Sequence, residues 1–265
     1  MLSGPPPPDH PVPAVVRRLA AGRPTRPVWR NELGGLTFEI AAGLGRWFVK
    51  WAPPDSGLRL DREAERLRWA VRYAPVPPVL DEGADETGSW LLTDGLPGES
   101  AVVDRWKADP ATGATAIGAG LRRLHDRLPV ADCPFGWRVE DRLARIRGLA
   151  TAGRLEPARW HPDHAAFGVD GALARLADVP AVDRLVVCQG DACAPNTLIT
   201  PDGRFAGHVD LGALGVADRW ADLAVATWSL HWNYGPSWEG TLLEAYGVEP
   251  DPERIAYYRL LWDLG

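Results

Sequence analysis

The run Leu185-Val186-Val187-Cys188-Gln189-Gly190-Asp191-Ala192-Cys193-Ala194-Pro195-Asn196, followed downstream by Asp210-Leu211-Gly212, decides how this chain is read. Leu185 to Cys188 is a short, wholly apolar stretch of the kind found in a buried strand, and it ends at Gln189-Gly190-Asp191. A hairpin follows, with Asn196 to Thr200 and Phe205 to Val209 flanking a Pro201-Asp202-Gly203 turn. A turn centred on Asp202-Gly203 sets Asn196 opposite Val209 and Pro195 opposite Asp210. Asn196 and Asp210 then meet at the open end of the hairpin, beside the loop that carries Asp191. No Lys or Arg between Asp191 and Asn196 neutralises these oxygens. Two carboxylates and an amide oxygen suit Mg²⁺, a hard cation that keeps several waters and takes further oxygens from phosphates. Each residue alone reads as a turn former. Their joint spacing points to a site.

Outward from this segment, the two halves of the chain differ in pattern. Between about Val28 and Lys50, strands such as Phe38-Glu39-Ile40 and Arg46 to Lys50 are joined across Gly34-Gly35. A helix is expected from Leu60 to Tyr73, stopped by Pro75, Pro77 and Pro78. Ser89 to Thr93 reads as another strand, and Asp94 to Gly98 as a connection. The remainder is mainly helical; Ile117, Leu121, Leu124 and Leu128 mark one apolar face, and further helices begin near Asp218, Thr241 and Pro252. The fold class is therefore α+β with two lobes. A small β-rich N-terminal lobe takes residues 1–94, with the proline-rich residues 1–13 as a mobile arm, and a larger helical C-terminal lobe takes residues 95–265.

Composition excludes several classes. With 46% hydrophobic and 24% charged residues, the chain of 265 residues has the make-up of a folded globular protein. A net charge of -6 argues against nucleic acid or an anionic membrane as partner and is compatible with a cationic small molecule. Cys133, Cys188 and Cys193 show no CxxC spacing, which argues against a disulfide framework or a zinc site. Met1 to Pro8 lacks a basic flank and an apolar run, and no stretch is apolar enough to span a bilayer, so a cytoplasmic setting is expected. No GxSxG and no Walker A pattern occurs, which removes a serine hydrolase and a P-loop kinase. His161, Asp163 and His164 read as surface residues of a Pro-containing loop, and His125 as a helix-end histidine with a satisfied hydrogen bond. Trp228, Trp232, Tyr234 and Trp238 cluster closely enough to line a pocket.

The spacing Gly190-Asp191-x-x-x-x-Asn196 with Asp210-x-Gly212 resembles the catalytic and metal-binding segments of protein kinases and small-molecule kinases. The longer run Val187 to Asn196 is similar to the aminoglycoside 3'-phosphotransferase family. So are Gly215 to Arg219 with Asp222-Leu223-Ala224, Cys133-Pro134-Phe135, and Ile255 to Leu261. The resemblance covers the chain from about Trp29 to Gly265 and implies a protein-kinase-like two-lobed fold. It also implies transfer of the ATP γ-phosphate (GTP being the alternative donor) to a hydroxyl of a kanamycin- or neomycin-type aminoglycoside. By the resemblance Asp191 is the catalytic residue, and Asn196 and Asp210 hold Mg²⁺.

Such a kinase needs a strand Lys on the phosphates and a helix Glu to hold it. Phe48-Val49-Lys50 supplies the first. Glu63, four residues before Leu67 on the apolar face of the next helix, supplies the second better than Glu65. Leu33 to Thr37 is expected to cover the phosphates with its backbone, and Asp94, Gly95 and Leu96 to offer backbone groups to the adenine. The family implies acids for the drug's ammonium groups, and Glu156, Asp163, Asp263 and the terminal carboxylate of Gly265 are the candidates.

The chain departs from the family pattern in three places. Gln189 stands where the family has a bracing His, so a His there is expected to serve equally or better. Ala213 stands where the family has Arg, and Trp262-Asp263-Leu264-Gly265 replaces Asp-Glu-Phe-Phe. Two other readings stay open: a kinase of another small polyhydroxylated molecule, and a nucleotide-binding pseudokinase. A monomer or weak dimer is expected.

Overall fold

The computed structural model describes residues 4–265. The chain divides into two compact units, one ending at Leu96 and the other beginning at Pro97.

The first unit is built on an antiparallel sheet. After helix α1 (Ala14–Ala20) come β1 (Thr25–Arg30), β2 (Leu36–Ala42), β3 (Gly45–Ala52), helix α2 (Leu60–Ala70), β4 (Val79–Asp85) and β5 (Gly88–Asp94). The strand order is β1-β2-β3-β5-β4. Phe38 pairs with Val49 and Val49 with Leu92, so strand alternation puts all three on one face. That face is covered by Val15, Val16 and Ala20 of α1, a helix absent from the sequence reading. Phe38 and Ile40 are fully buried there, each contributing about 1.5–3 kcal/mol. Lys50, one residue on from Val49 and paired with Leu91, faces the opposite side. Of the proline-rich residues 1–13, Gly4 is tied to the sheet: its N–H donates to the Arg30 carbonyl at 3.0 Å and its carbonyl accepts from Arg30 at 2.8 Å. Met1 to Ser3 lie outside the described residues.

In the second unit the order is β6 (Glu99–Ser100), α3 (Asp104–Ala108), α4 (Pro110–Arg127), α5 (Val139–Thr151), α6 (Pro162–Ala165) and α7 (Gly168–Ala177). There follow β7 (Leu185–Cys188), β8 (Thr197–Ile199), β9 (Phe205–His208), β10 (Gly215–Asp218), α8 (Trp220–Tyr234), α9 (Glu239–Tyr246) and α10 (Pro252–Leu264). Helix α4 starts on an Asp109 cap with Pro110 at its first position, and it packs so closely on α9 that a Cβ at Gly118 would lie 2.3 Å from the Leu242 carbonyl. Helix α8 is buried from Trp220 to Leu230, the signature of a central core helix. Asp218 is not its cap residue: it ends β10 and accepts the N–H groups of Trp220 and Asp183.

The hairpin has the expected register. Thr197 pairs with His208, and the Val209 N–H donates to the Asn196 carbonyl at 2.9 Å. A bulge between Leu198 and Ile199 shifts the pairing only toward the turn. Strand β6 adds a third member by pairing with β8, and β10 pairs antiparallel with β7, setting Gly215 against Cys188. These pairings bring three loop ends to one place: Gln189-Gly190-Asp191 after β7, Asn196 before β8, and Asp210 after β9.

Candidate active site

Strand β7 ends at a backbone position that only glycine fits. Gly190 has φ +91°, and a Cβ there would lie 2.3 Å from the Ala213 carbonyl. The turn is held from below by Asp222 of α8, a fully buried carboxylate. Its Oδ2 accepts the Gln189 N–H at 2.6 Å and its Oδ1 the Gly190 N–H at 2.9 Å. His125 of α4 bonds Asp222 at 3.0 Å through Nε2 and the Tyr246 hydroxyl at 2.9 Å through Nδ1. Among the described residues His125, Cys188 and Asp222 have metal-ligand types close together. Asp222 is consumed by these hydrogen bonds, however, and burial pushes the Cys188 thiol well up. The cluster is a structural network.

The Gln189 side chain makes a second set of contacts. Its Nε2 donates to the carbonyls of Val209 at 3.0 Å and Asp210 at 2.9 Å, and its Oε1 accepts the Asp191 N–H at 2.6 Å. One side chain thereby ties the Asp191 loop to the hairpin end. The Asp191 carboxylate receives hydrogen bonds from the Cys193 thiol at 3.2 Å and the Asn196 amide at 3.2 Å. Burial, and then the Asp191 charge, push the Cys193 thiol well up, so it stays protonated as a donor. Burial first, and then the neighbouring Asp210 carboxylate, raise the pKa of Asp191; hydrogen bonding from Cys193, Trp262 and Asn196 acts the other way.

The Asn196 Nδ2 also donates to the Asp191 carbonyl at 2.8 Å. With its amide nitrogen committed toward Asp191, Asn196 has its oxygen left to offer elsewhere. Asp210 is exposed and sits at φ +61°, a left-handed conformation that Asp tolerates better than most residues. A carboxylate and an amide oxygen, next to a carboxylate that needs counter-charge, are a donor set that fits Mg²⁺.

In the first unit, Lys50 donates to both oxygens of Glu63, at 2.8 and 2.9 Å. Glu63 is buried in the first turn of α2, so the ion pair fixes where the ammonium sits. The β1–β2 turn is ordered by Asn31, whose Oδ1 accepts the N–H of Leu33 at 3.1 Å and of Gly35 at 2.8 Å. In the Asp94–Leu96 segment, the Asp94 N–H donates to Pro78 at 2.9 Å and the Gly95 N–H to Arg46 at 2.8 Å. The Leu96 carbonyl accepts from the Arg46 guanidinium at 3.2 Å.

A family profile described as the phosphotransferase enzyme family matches residues 26–258. The chain belongs to that family. It is 39% identical over 249 residues to an aminoglycoside 3'-phosphotransferase of Streptomyces ribosidificus, covering 87% of this chain and 91% of that one. It is 34% identical over 271 residues to a streptomycin 3''-kinase of Streptomyces griseus, covering 94% and 96%. Among solved structures it is similar to aminoglycoside phosphotransferase APH(3'')-Id of Streptomyces rimosus, with TM-score 0.78, 30% identity and coverage of 94% and 95%. The same protein in complex with ADP and streptomycin matches with TM-score 0.72, at 30% identity and coverage of 86% and 90%. The α+β fold is that of the kinase-like phosphotransferases.

In this phosphotransferase the four acids expected to meet a cationic acceptor are placed very differently. Asp263 of α10 has only 11% of its side chain exposed, and its Oδ2 accepts the His161 N–H at 2.9 Å and the His164 ring at 2.6 Å. His164 is thus a buried partner and not a surface residue. The terminal Gly265 carbonyl accepts from the Arg145 guanidinium. Glu156 and Asp163 are exposed, and Asp163 lies 3.6 Å from the His161 ring. Of the aromatic cluster, Trp228 and Trp232 are in ring contact with each other, whereas the Tyr234 hydroxyl donates to the Ala101 carbonyl at 2.6 Å. Two residues escaped the sequence reading of the site. Asp222 was visible only as part of a resemblance motif, and Trp262 only as a departure from one.

Proposed function

We propose that this enzyme transfers the γ-phosphate of ATP to a hydroxyl of an aminoglycoside in the cytoplasm, using Mg²⁺ held by Asn196 and Asp210. The observation that carries this reading is Asp191, its backbone N–H held by Gln189 and its carboxylate by Asn196, and raised in pKa beside Asp210. Asp191 orients the acceptor hydroxyl and takes its proton as the new O–P bond forms and the bridging β–γ O–P bond breaks, releasing ADP. A raised pKa makes the carboxylate a stronger base for that proton. Lys50, fixed by Glu63, neutralises the α- and β-phosphates, and Asp94 to Leu96 meet the adenine through backbone groups. Mg²⁺, when bound, would neutralise charge on the phosphates.

The intact Gln189 brace argues against a pseudokinase, because it supplies the loop contacts that a lost His would otherwise leave open. Kanamycin- and neomycin-type compounds are the first acceptors to try. Streptomycin and a neutral sugar belong in the same panel, since Asp263 and Gly265 are already bonded within the protein. The test is nucleotide turnover, with ATP and GTP, across that panel. Asp191→Ala should retain nucleotide binding and lose roughly 10²–10⁴-fold in turnover. A variant with normal turnover, or a wild-type enzyme that phosphorylates only the neutral sugar, would overturn the proposal.

A further inference from the structure

Trp262 and Trp232 form part of a row of rings that starts beside Asp191. Trp262, on α10, has its side chain near the Asp191 carboxylate and is in ring contact with Trp232 at 5.8 Å and Trp228 at 6.0 Å. Trp228 and Trp232 are 4.8 Å apart, and Trp228 is flanked by His161 at 5.1 Å and His164 at 5.3 Å. Trp228 is buried, but Trp232 remains 45% exposed. A large apolar side chain left in water near Asp191 calls for a covering group. The chain places Trp262 where its family has an acid, it withdraws Asp263 into contact with His164, and its Gly265 carbonyl accepts from Arg145. These features take the Asp263 carboxylate away from ammonium groups and add indole surface near it.

We propose that Trp232 and Trp262 are the specificity-determining platform of the acceptor site, on which the apolar face of a sugar ring stacks so that its hydroxyl meets Asp191. The acceptor class is accordingly a polyhydroxylated ring compound with few ammonium groups. An indole face holds one cation by cation–π attraction, but it does not neutralise several, and desolvating unpaired ammonium groups is costly.

The inference rests on the phosphotransfer reading above, and the experiment separates the two. Initial rates are measured for wild type, Trp232→Ala and Trp262→Phe with streptomycin-, kanamycin- and neomycin-type acceptors of rising ammonium count, at saturating ATP. For wild type, kcat/KM should fall as the ammonium count rises. Trp232→Ala should raise the acceptor KM about 3- to 10-fold with kcat little changed, the size of one aromatic contact. Trp262→Phe keeps a ring in contact with Trp232, so the acceptor KM should rise less than in Trp232→Ala. Because Trp232 is exposed, its truncation tests the platform even where Trp262→Phe folds poorly. Wild-type turnover with an acceptor KM unchanged in Trp232→Ala overturns the platform and leaves the phosphotransfer reading standing. So does a kcat/KM that climbs with ammonium count. Absence of any acceptor turnover by wild type overturns both.

Discussion

Asp222 accepts the backbone N–H of Gln189 at 2.6 Å across 33 residues of sequence, so helix α8 holds the turn that carries Asp191. The same carboxylate accepts from Gly190 and bonds His125, and it is fully buried. Asp222→Asn keeps the shape but offers an amide nitrogen where an acceptor was. A buried N–H is left unpaired, at about 1–3 kcal/mol. Thermal unfolding should therefore shift down. The loop's misplacement should lower kcat roughly 10²-fold, while the KM for ATP changes little. A variant with wild-type kcat would show that the turn holds its shape without α8.

Gln189 offers a sharper comparison. The family resemblance suggests that a His at this position would serve equally or better, and the structure argues otherwise. The glutamine amide donates twice and accepts once, to three backbone groups. An imidazole has two ring nitrogens and leaves one of those groups unpaired. Activity and unfolding temperature should both rank wild type above Gln189→His, and Gln189→His above Gln189→Leu. Equal or higher activity in Gln189→His would show that the loop adapts around either side chain.

The hairpin at the heart of the site was legible because its signals are local: a Pro201-Asp202-Gly203 turn, short apolar flanks and polar ends. Strand β10 was not. Gly215 and Asp218 are poor strand formers, and the segment is extended because β7 lies alongside it. Strand β4 escaped for a different reason: most of its side chains are half-exposed or exposed, so no alternating pattern marks it. Lys50 and Glu63 could be paired from helix periodicity alone, whereas the partners of Asp263 could not. His161 and His164 lie about a hundred residues away, and only the packing of α10 on the α6 segment brings them to that carboxylate.

His208 carries a pH signature of stability. Its ring is fully buried, and burial lowers its pKa to about 4. The unfolded chain binds this proton near the ordinary value of about 6.5. Between those values the unfolded state holds a proton that the native state refuses. Stability from this group is thus complete above about pH 6.5 and is lost as pH falls toward about 4. Unfolding temperatures from pH 7.5 to 4.5, followed for wild type and His208→Phe, should show a shallower acid decline in the variant. Parallel curves would assign the decline to other groups.

Asp191 shifts in the opposite sense, which separates its effect on rate from its effect on stability. Burial and Asp210 raise its pKa, so over a window above the ordinary carboxylate value of about 3.9 the folded protein retains a proton that the unfolded chain has lost. Through that window stability falls as pH rises, because the native state must bear a buried charge. Asp191→Asn should therefore raise the unfolding temperature at neutral pH, measured without Mg²⁺ and nucleotide. The gain should vanish below the unfolded pKa, where both proteins are neutral at this position. Rate runs the other way, since a base must be ionised to accept the hydroxyl proton. The acid limb of kcat/KM should accordingly lie above the ordinary carboxylate range, and turnover should collapse in Asp191→Asn while the protein becomes more stable. An asparagine variant less stable than wild type at neutral pH would show that the hydrogen bonds from Cys193 and Asn196 outweigh the burial of the charge.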